Sequence, residues 1–320
     1  MMGKKNQTPI FIVSTGRTGS TFIAEALNKH PNIAIILDII EPLGPNPFFE
    51  KNKIATGSEF FKEISKPSIK PRLRYWKKKS TKERRFYPED DNLVSLLLCY
   101  AIPFVTHDPM DFFYKIKKEF EKIPKQTMDK HTIKLFEMLR DEAKKDLWVE
   151  KTGGSIPQIE KIVDIWPTGK YIYSYRDGRE VAISMHKHPM FRMYNQMLKN
   201  PDLDEWDFEY YPPIEDLGKM WNDWTVKAHR ELKKIPDNMK MDLKYEYLSN
   251  YPEDFLISLL NFILDQEKET EFDKKWAKKW AKGVSMAPLR FETFNLDDQK
   301  KLEKTCKPGL IELGYDLKFS

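Results

Sequence analysis

A short apolar run near the start of the sequence passes through a glycine-containing turn directly into a segment with helical spacing. The run is Ile10 to Val13, the turn occupies residues 14–20, and helical spacing follows from Thr21 to Leu27. Four β-rich residues before the turn predict a short strand. A strand that turns through glycine into a helix presents unpaired backbone N–H groups and the positive end of the helix dipole. This part of the sequence therefore predicts an anion-binding loop.

Apolar runs and helical segments alternate along the rest of the chain. Further strands are predicted at residues 33–37, 147–149, 171–175 and 239–243, and helices at residues 92–105, 110–123, 129–145, 156–166, 178–188, 214–232 and 252–264. Short β-rich runs separated by helices predict an α/β protein with a central parallel β-sheet. With 40% hydrophobic residues among 320, we expect one domain spanning residues 1–320, with a mostly helical excursion at about 42–145.

The side chains of the loop suit a metal-free grip on a phosphate or sulfate. Arg17 offers planar bidentate donors that never lose their charge, and the hydroxyls of Thr18, Ser20 and Thr21 accompany it. A Walker A loop requires a different spacing and a lysine, and this sequence has neither. A plain tight turn would also explain a glycine-containing turn with an arginine, so a second signal is needed.

The second signal follows the predicted strand at residues 171–175. That strand ends in Arg176-Asp177-Gly178-Arg179, and the next predicted helix carries Ser184. A strand-end arginine and a serine two turns into the following helix can converge on one phosphate. The alternative is a surface arginine–aspartate pair at a helix start, with Ser184 as a tolerated small residue. The residues alone leave both interpretations open.

Together the two segments resemble the donor-binding signatures of the sulfotransferase superfamily, whose donor is 3′-phosphoadenosine 5′-phosphosulfate. Residues 16–22, G-R-T-G-S-T-F, resemble its 5′-phosphosulfate loop, and residues 175–184, Y-R-D-G-R-E-V-A-I-S, resemble its 3′-phosphate motif. Smaller similarities to the family occur at residues 148–152 (W-V-E-K-T), 245–248 (Y-E-Y-L) and 314–316 (G-Y-D). The resemblance therefore covers most of the chain except residues 42–145.

Two positions depart from the family pattern. Gly178 stands where the family commonly has proline, which loosens the turn and removes no ligand. Arg17 stands where the cytosolic small-molecule enzymes have lysine, whereas arginine is typical of tyrosylprotein and several bacterial or carbohydrate-acting relatives. The second departure favours a subgroup other than the classical cytosolic one.

The resemblance implies a three-layer, P-loop NTPase-like sulfotransferase fold and transfer of a sulfuryl group from the donor to a hydroxyl or amine. It assigns donor binding to Arg17, Thr18, Gly19, Ser20, Thr21, Phe22, Arg176 and Ser184. Arg17 would also stabilise the charge that develops during transfer. The general base that takes the acceptor proton is expected shortly after the second strand, at Glu41, which is slightly favoured, or at Asp38. No Cys or His cluster indicates a metal.

The net charge of +5 conceals a basic segment, Lys62 to Arg85, which contains eleven Lys or Arg against two Glu. A solvated loop is the plainer interpretation of such a run. The basic segment also allows an alternative function, that of a non-catalytic polyanion-binding protein. A second alternative is a P-loop kinase-like phosphoryl transferase. The acceptor can be a small molecule, a carbohydrate or a peptide, and no nucleic acid partner is expected. The oligomeric state stays open.

The cysteines and the hydropathy bear on the compartment. Cys99 and Cys306 are far apart and lack metal-ligand spacing, so the sequence indicates neither a disulfide framework nor a zinc site. Residues 1–9 are polar and basic, and no run of 18 apolar residues follows. We therefore expect a cytoplasmic protein without a membrane span.

Overall fold

The structure is a computed structural model that describes residues 7–44, 46–67, 86–201, 207, 209–285 and 287–319. Its β-strands are β1 Ile10–Ser14, β2 Ile33–Leu37, β3 Ile54–Ala55, β4 Gln126–Thr127, β5 Leu147–Lys151, β6 Lys170–Tyr175 and β7 Lys240–Lys244. Five of them form one parallel sheet in the order β2-β5-β1-β6-β7, and β3 pairs with β4 in an antiparallel ribbon. The predicted α/β architecture with a central parallel sheet is confirmed.

Helices connect the strands and cover the sheet. The α-helices of the described residues are α1 Ser20–Asn28, α2 Gly57–Ile64, α3 Pro109–Phe120, α4 Met128–Glu142, α5 Ile159–Ile165, α6 Gly178–His186, α7 Pro189–Lys199, α8 Ile214–Leu232, α9 Tyr245–Asn250, α10 Pro252–Leu264, α11 Glu271–Ala281 and α12 Leu296–Glu312. Every residue of β1 and β2 is buried, as expected for strands of a parallel sheet with both faces covered.

The chain folds into two compact units. Unit 1 contains the described residues within 1–11 and 27–169, and unit 2 those within 12–26 and 170–320. In unit 1, β2 pairs with β5 from Ile33 opposite Leu147 to Leu37 opposite Lys151. In unit 2, β6 pairs with β7, and α8 packs against both α6 and α12. The prediction of a single domain stays a prediction.

Two segments differ from their predicted secondary structure. Residues 92–105 do not form an α-helix but a series of tighter and wider turns at Asp91–Leu93, Leu97–Ala101 and Ile102–Phe104. Pro103 lies in the last of these turns, where it removes a backbone donor and crowds the preceding turn. Helix α7 lies where a loop was predicted. Apolar residues recur in it at helical spacing, at positions 190, 191, 193, 194 and 197, but the proline and acidic residues that follow led to the prediction of a loop.

The excursion after residue 42 contains one helix that its sequence signals locally. Thr56 caps α2 by accepting a hydrogen bond from the Glu59 backbone, and the Glu59 carboxylate accepts one from the Thr56 backbone at 2.7 Å. This T-x-x-E capping box marks a helix start. Most of the basic segment Lys62 to Arg85, including residues 68–85, lies outside the described residues.

Within the described residues, each helix is too short or too polar to cross a bilayer.

Gly178, the first residue of α6, packs directly against the ring of Trp221 on α8. A Cβ at this position would lie 2.3 Å from two carbons of that ring, and Trp221 is fully buried. Gly178→Ala is therefore expected to lower the free energy of unfolding by about 1–3 kcal/mol through overpacking. The change is measured by urea denaturation.

Gly283→Ala is the matched control, because its Cβ would meet its nearest neighbour, the Trp280 carbonyl oxygen, at 3.4 Å. This variant is expected to change stability by no more than about 0.5 kcal/mol. Equal urea midpoints for Gly178→Ala and Gly283→Ala would contradict the packing argument.

Candidate functional site

The turn between β1 and α1 uses backbone conformations that most residues avoid. Gly16, Arg17 and Gly19 have φ values of 81°, 60° and 79°. The glycines are also approached closely, since a Cβ at Gly16 would lie 2.3 Å from the Phe191 ring and one at Gly19 would lie 3.0 Å from the Tyr245 ring. Glycine satisfies both the conformation and the space. The turn delivers the chain directly into the N-terminus of α1, where the first N–H groups have no partner within the helix.

Side-chain hydrogen bonds attach this loop to β6 and α6 within unit 2. The hydroxyls of Thr18 and Ser174 lie 2.8 Å apart, and both residues are buried. The Arg17 Nε donates to the Ser184 Oγ at 3.0 Å. Arg17 and Ser184, which the sequence places in separate motifs, are therefore in direct contact. Of the other loop residues, Ser20 is buried at the start of α1.

Arg176 is held in place by an aromatic ring and a carboxylate. Its guanidinium lies 4.3 Å from the centroid of the Tyr245 ring, and its Nη2 lies 3.6 Å from the Glu180 Oε2. The other Glu180 oxygen accepts hydrogen bonds from the backbone N–H groups of Arg290 and Phe291, at 2.6 and 2.8 Å. Arg176 is only 6% exposed, so its position is set by these contacts rather than by solvent.

Tyr245 connects the two predicted anion-binding segments. Its ring lies against Gly19 in the loop after β1 and against Arg176 at the end of β6. Its hydroxyl accepts a hydrogen bond from the Ala287 backbone N–H at 3.2 Å. A single aromatic residue thus fixes the spacing between the loop and the strand-end arginine.

One carboxylate joins three of the segments that resemble the family. Glu246 accepts a hydrogen bond from the Asp177 backbone N–H at 3.1 Å and from the Tyr315 hydroxyl at 2.9 Å. Burial and then the negative charge of Glu246 raise the pKa of Tyr315, so its hydroxyl stays a donor. Arg179 also pairs with Asp177 and with Glu303. Asp177 and Arg179 therefore stabilise the start of α6.

The remaining predicted donor residue, Phe22, lies on the half-buried side of α1. Its ring meets the Trp280 ring of α11 edge to face, with centroids 6.0 Å apart. Edge-to-face pairs of this kind are favourable beyond the area they bury. All eight predicted donor-binding residues thus belong to unit 2.

The two candidates for the general base, Asp38 and Glu41, belong to unit 1. Asp38 follows β2 with a φ of 48°, and its Oδ1 accepts a hydrogen bond from the Gly153 backbone N–H at 2.9 Å. The same oxygen lies 3.5 Å from the Nζ of Lys151, which is only 2% exposed. The Asp38 carboxylate therefore stabilises both the turn after β5 and a buried ammonium group.

Glu41 is held through its main chain. Its N–H donates to the Asn46 Oδ1 at 2.8 Å, and its carbonyl accepts from the Asn46 Nδ2 at 2.7 Å. The Gln158 amide donates to the same carbonyl at 3.2 Å. The side chains of Asn46 and Gln158 are both buried.

A buried carboxyl group supports the segment between the two candidates. Glu150 on β5 accepts a hydrogen bond from the Thr152 hydroxyl at 2.6 Å, and that hydroxyl accepts one from the Ile40 backbone N–H at 3.2 Å. Complete burial and the nearby charge of Asp38 raise the pKa of Glu150 to about 8, although the Thr152 hydrogen bond and Lys151 oppose the shift. Glu150 is thus protonated at neutral pH.

Sequence reasoning missed the residues that support the predicted ones: Ser174, Glu180, Asn46, Glu150 and Gln158. Glu180 had a local signal, because it lies four residues after Arg176, the spacing at which helical side chains meet. The others act through hydrogen bonds to distant segments or to backbone groups, and such bonds leave no periodic pattern. Within the described ranges, no group of three or more His, Cys, Asp or Glu side chains is arranged to hold a metal ion.

Both the sequence and the fold of this chain are similar to those of known proteins. A model described as the sulfotransferase family matches residues 9–265. The fold is similar to the sulfotransferase domain from the curacin biosynthetic pathway, with 15% identity, a TM-score of 0.50, and coverage of 98% of this chain and 100% of that one. It is also similar to sulfotransferase STF9 from Mycobacterium avium, with 14% identity, a TM-score of 0.53, and coverage of 98% and 79%. No curated protein matches the sequence.

Glu150 makes the stability of the protein depend on pH. Its folded pKa of about 8 lies above the ordinary value of 4.5, so the folded state keeps a proton that the unfolded state releases. This contribution to stability is complete below about pH 4.5 and is lost as the pH rises to about 8. Glu150→Gln cannot ionise, so it is expected to gain stability relative to the wild type between pH 5 and pH 8, by up to a few kcal/mol.

Urea denaturation at pH 5, 6.5 and 8 measures this difference. Glu25→Gln, on the exposed side of α1, controls for the loss of one carboxylate. A wild-type–variant difference that stays constant from pH 5 to pH 8 would show that Glu150 ionises in the folded protein as it does in the unfolded chain.

Proposed function

Because the chain belongs to the sulfotransferase family and has its P-loop-like three-layer fold, we propose that it transfers a sulfuryl group from 3′-phosphoadenosine 5′-phosphosulfate to a hydroxyl or amine. The observation that carries the proposal is the hydrogen bond between Arg17 and Ser184, 3.0 Å long. It brings the loop that resembles a 5′-phosphosulfate site against the helix that resembles a 3′-phosphate site. A doubly phosphorylated adenosine needs both sites, and both lie in unit 2.

The chemistry of the residues fits an anion at each end of that donor. The turn at residues 16–19 opens onto the N-terminus of α1, where backbone N–H groups and the helix dipole favour a negative charge. Arg17 is exposed beside this turn and adds a guanidinium. Arg176 and Ser184 supply a second arginine and a hydroxyl for the 3′-phosphate. When bound, 3′-phosphoadenosine 5′-phosphosulfate would supply an activated sulfuryl group. The arginines of this chain supply fixed positive charge for its transfer.

On the acceptor side, we assign the general base to Glu41, with Asp38 as the alternative. The acceptor oxygen or nitrogen loses its proton to the carboxylate as it bonds to sulfur, and the bond from sulfur to the 5′-phosphate breaks, releasing 3′,5′-diphosphoadenosine. Asp38 already accepts a hydrogen bond from the Gly153 backbone and lies beside Lys151. Those contacts give Asp38 a structural role, and the longer reach of a glutamate favours Glu41 for proton transfer. The proposed acceptors are a small molecule, a carbohydrate or a peptide.

The donor site is tested by calorimetric titration with 3′,5′-diphosphoadenosine, in parallel with AMP and with ATP plus Mg²⁺. We expect metal-independent binding of the diphosphate that is stronger than that of AMP. Arg176→Ala is expected to weaken diphosphate binding about 10- to 100-fold, since a charge-assisted hydrogen bond contributes about 1.5–3 kcal/mol. Arg176→Lys keeps the charge but loses the bidentate geometry, so its affinity for the diphosphate should lie between those of the wild type and Arg176→Ala.

Arg230→Ala is the control for loss of one arginine, because Arg230 lies at the exposed end of α8 and pairs with Glu231. This variant is expected to bind the diphosphate like the wild type. Preference for ATP with Mg²⁺ would favour a phosphoryl transferase instead. Binding of polyanions without binding of any nucleotide would favour the polyanion-binding alternative.

The base is tested by turnover with ³⁵S-labelled donor and a panel of 4-nitrophenol, a tyrosine peptide and a glucosamine disaccharide. Glu41→Gln is expected to lower kcat about 10²- to 10⁴-fold, the usual contribution of general base catalysis, with unchanged binding of 3′,5′-diphosphoadenosine. Asp38→Asn is expected to lower kcat less. The reverse order of the two losses would assign the base to Asp38.

A further inference from the structure

We infer that Asn46 is a positioning residue for Glu41 and acts by fixing the main chain from which the Glu41 carboxylate extends. This inference rests on the proposed function, in which Glu41 is the general base. The Asn46 amide binds both main-chain polar groups of Glu41, at 2.8 Å to its N–H and 2.7 Å to its carbonyl. Two hydrogen bonds to one rigid amide leave the main chain of Glu41 little freedom to shift.

The orientation of the Asn46 amide follows from its partners. Its oxygen faces a backbone N–H, which can only donate, and its nitrogen faces the carbonyls of Glu41 and Gly44, which can only accept. The reversed amide would oppose donor to donor and acceptor to acceptor. The assigned orientation therefore pairs the amide oxygen with a donor and the amide nitrogen with acceptors.

A second amide strengthens the same loop. The Gln158 Nε2 lies 3.2 Å from the Glu41 carbonyl oxygen, 3.0 Å from that of Pro42 and 3.3 Å from that of Gly44. Asn46 and Gln158 are 5% and 6% exposed, so water competes little for these hydrogen bonds. Removal of either amide would leave buried carbonyl groups with fewer donors, which is costly.

The Glu41 side chain is also placed by a close approach. A Cβ built on Gly44 would lie 2.5 Å from the Glu41 Cγ. The methylene stem of Glu41 therefore packs over Gly44, at a distance that no side chain at that position allows. The main-chain pairing with Asn46 and the packing over Gly44 together define where the carboxylate begins.

The residue before Glu41 is held as well. The Ile40 N–H donates to the Thr152 hydroxyl, which donates in turn to Glu150. A base that must meet a proton within hydrogen-bond distance benefits from such preorganisation, because a misplacement of 1 Å can cost about 10²-fold in rate. Asn46 contributes to that placement without carrying a titratable group itself.

A double-mutant cycle tests the inference in the full-length chain. Asn46→Ala is expected to lower kcat about 10- to 100-fold in the wild-type background and to have almost no further effect in Glu41→Gln. Asn46→Asp keeps an acceptor for the Glu41 N–H but loses the donor to its carbonyl, so an intermediate loss is expected. Binding of 3′,5′-diphosphoadenosine should not change in any of these variants.

Gly44→Ala tests independently whether the packing of Glu41 over Gly44 matters for turnover. It is expected to lower kcat in the wild type, and the loss should disappear in Glu41→Ala, where the Cγ that it displaces is absent. Turnover is measured as release of 3′,5′-diphosphoadenosine with the best acceptor of the panel, or with water as acceptor if none exceeds hydrolysis. Hydrogen exchange reports the pairing directly, since the Glu41 amide should exchange faster in Asn46→Ala.

The outcomes separate this inference from the proposed function. A wild type that does not bind 3′,5′-diphosphoadenosine overturns the proposed function. Equal losses of kcat from Asn46→Ala in both backgrounds, with donor binding intact, mean a general structural role and overturn the positioning role alone. Unchanged exchange at Glu41 overturns it too.

Discussion

The turn after β1 is the constraint on which the positions of the predicted donor residues depend. Gly16 and Gly19 both have positive φ values, and both lie against rings, those of Phe191 and Tyr245. A side chain at either position would have to move an aromatic ring that other segments hold. The backbone path of this turn is therefore determined by residues far away in the sequence, and it sets where Arg17 and the start of α1 lie.

The arginine at the end of β6 is also positioned by residues from other segments. Arg176 is placed by Tyr245 on one side and Glu180 on the other, and Glu180 is itself fixed by two backbone N–H groups. Such a chain of contacts aligns a charged group before any ligand arrives, which lowers the cost of binding an anion. Unit 1 applies the same principle with neutral amides, which hold the main chain around Glu41.

Local patterns predicted the elements that depend on local rules. The amphipathic helices α8 and α10 have the predicted bounds, and the sequence β1, loop, α1 was expected from its glycines and apolar run. Helix α7 was missed although its apolar residues follow the helical period, because the proline and acidic residues after it indicated a loop. Residues 92–105 were misjudged because Pro103 interrupts the helix. The donor residues were predicted from sequence motifs, and their role stays a prediction. Their supports, such as Ser174 beneath Thr18, were not predicted, because a contact across 156 residues has no signature in either segment.

Trp221 has a consequence for how this sequence can change over time. Its ring lies where side chains at two glycines would be, Gly178 on α6 and Gly309 on α12. The family's usual proline could not replace Gly178 while this indole is in place, since any added carbon would meet the ring. Substitutions at positions 178, 221 and 309 are therefore coupled. Larger residues at 178 or 309 therefore cost less stability once the residue at 221 is smaller, so the effect of a change at one position depends on the other two.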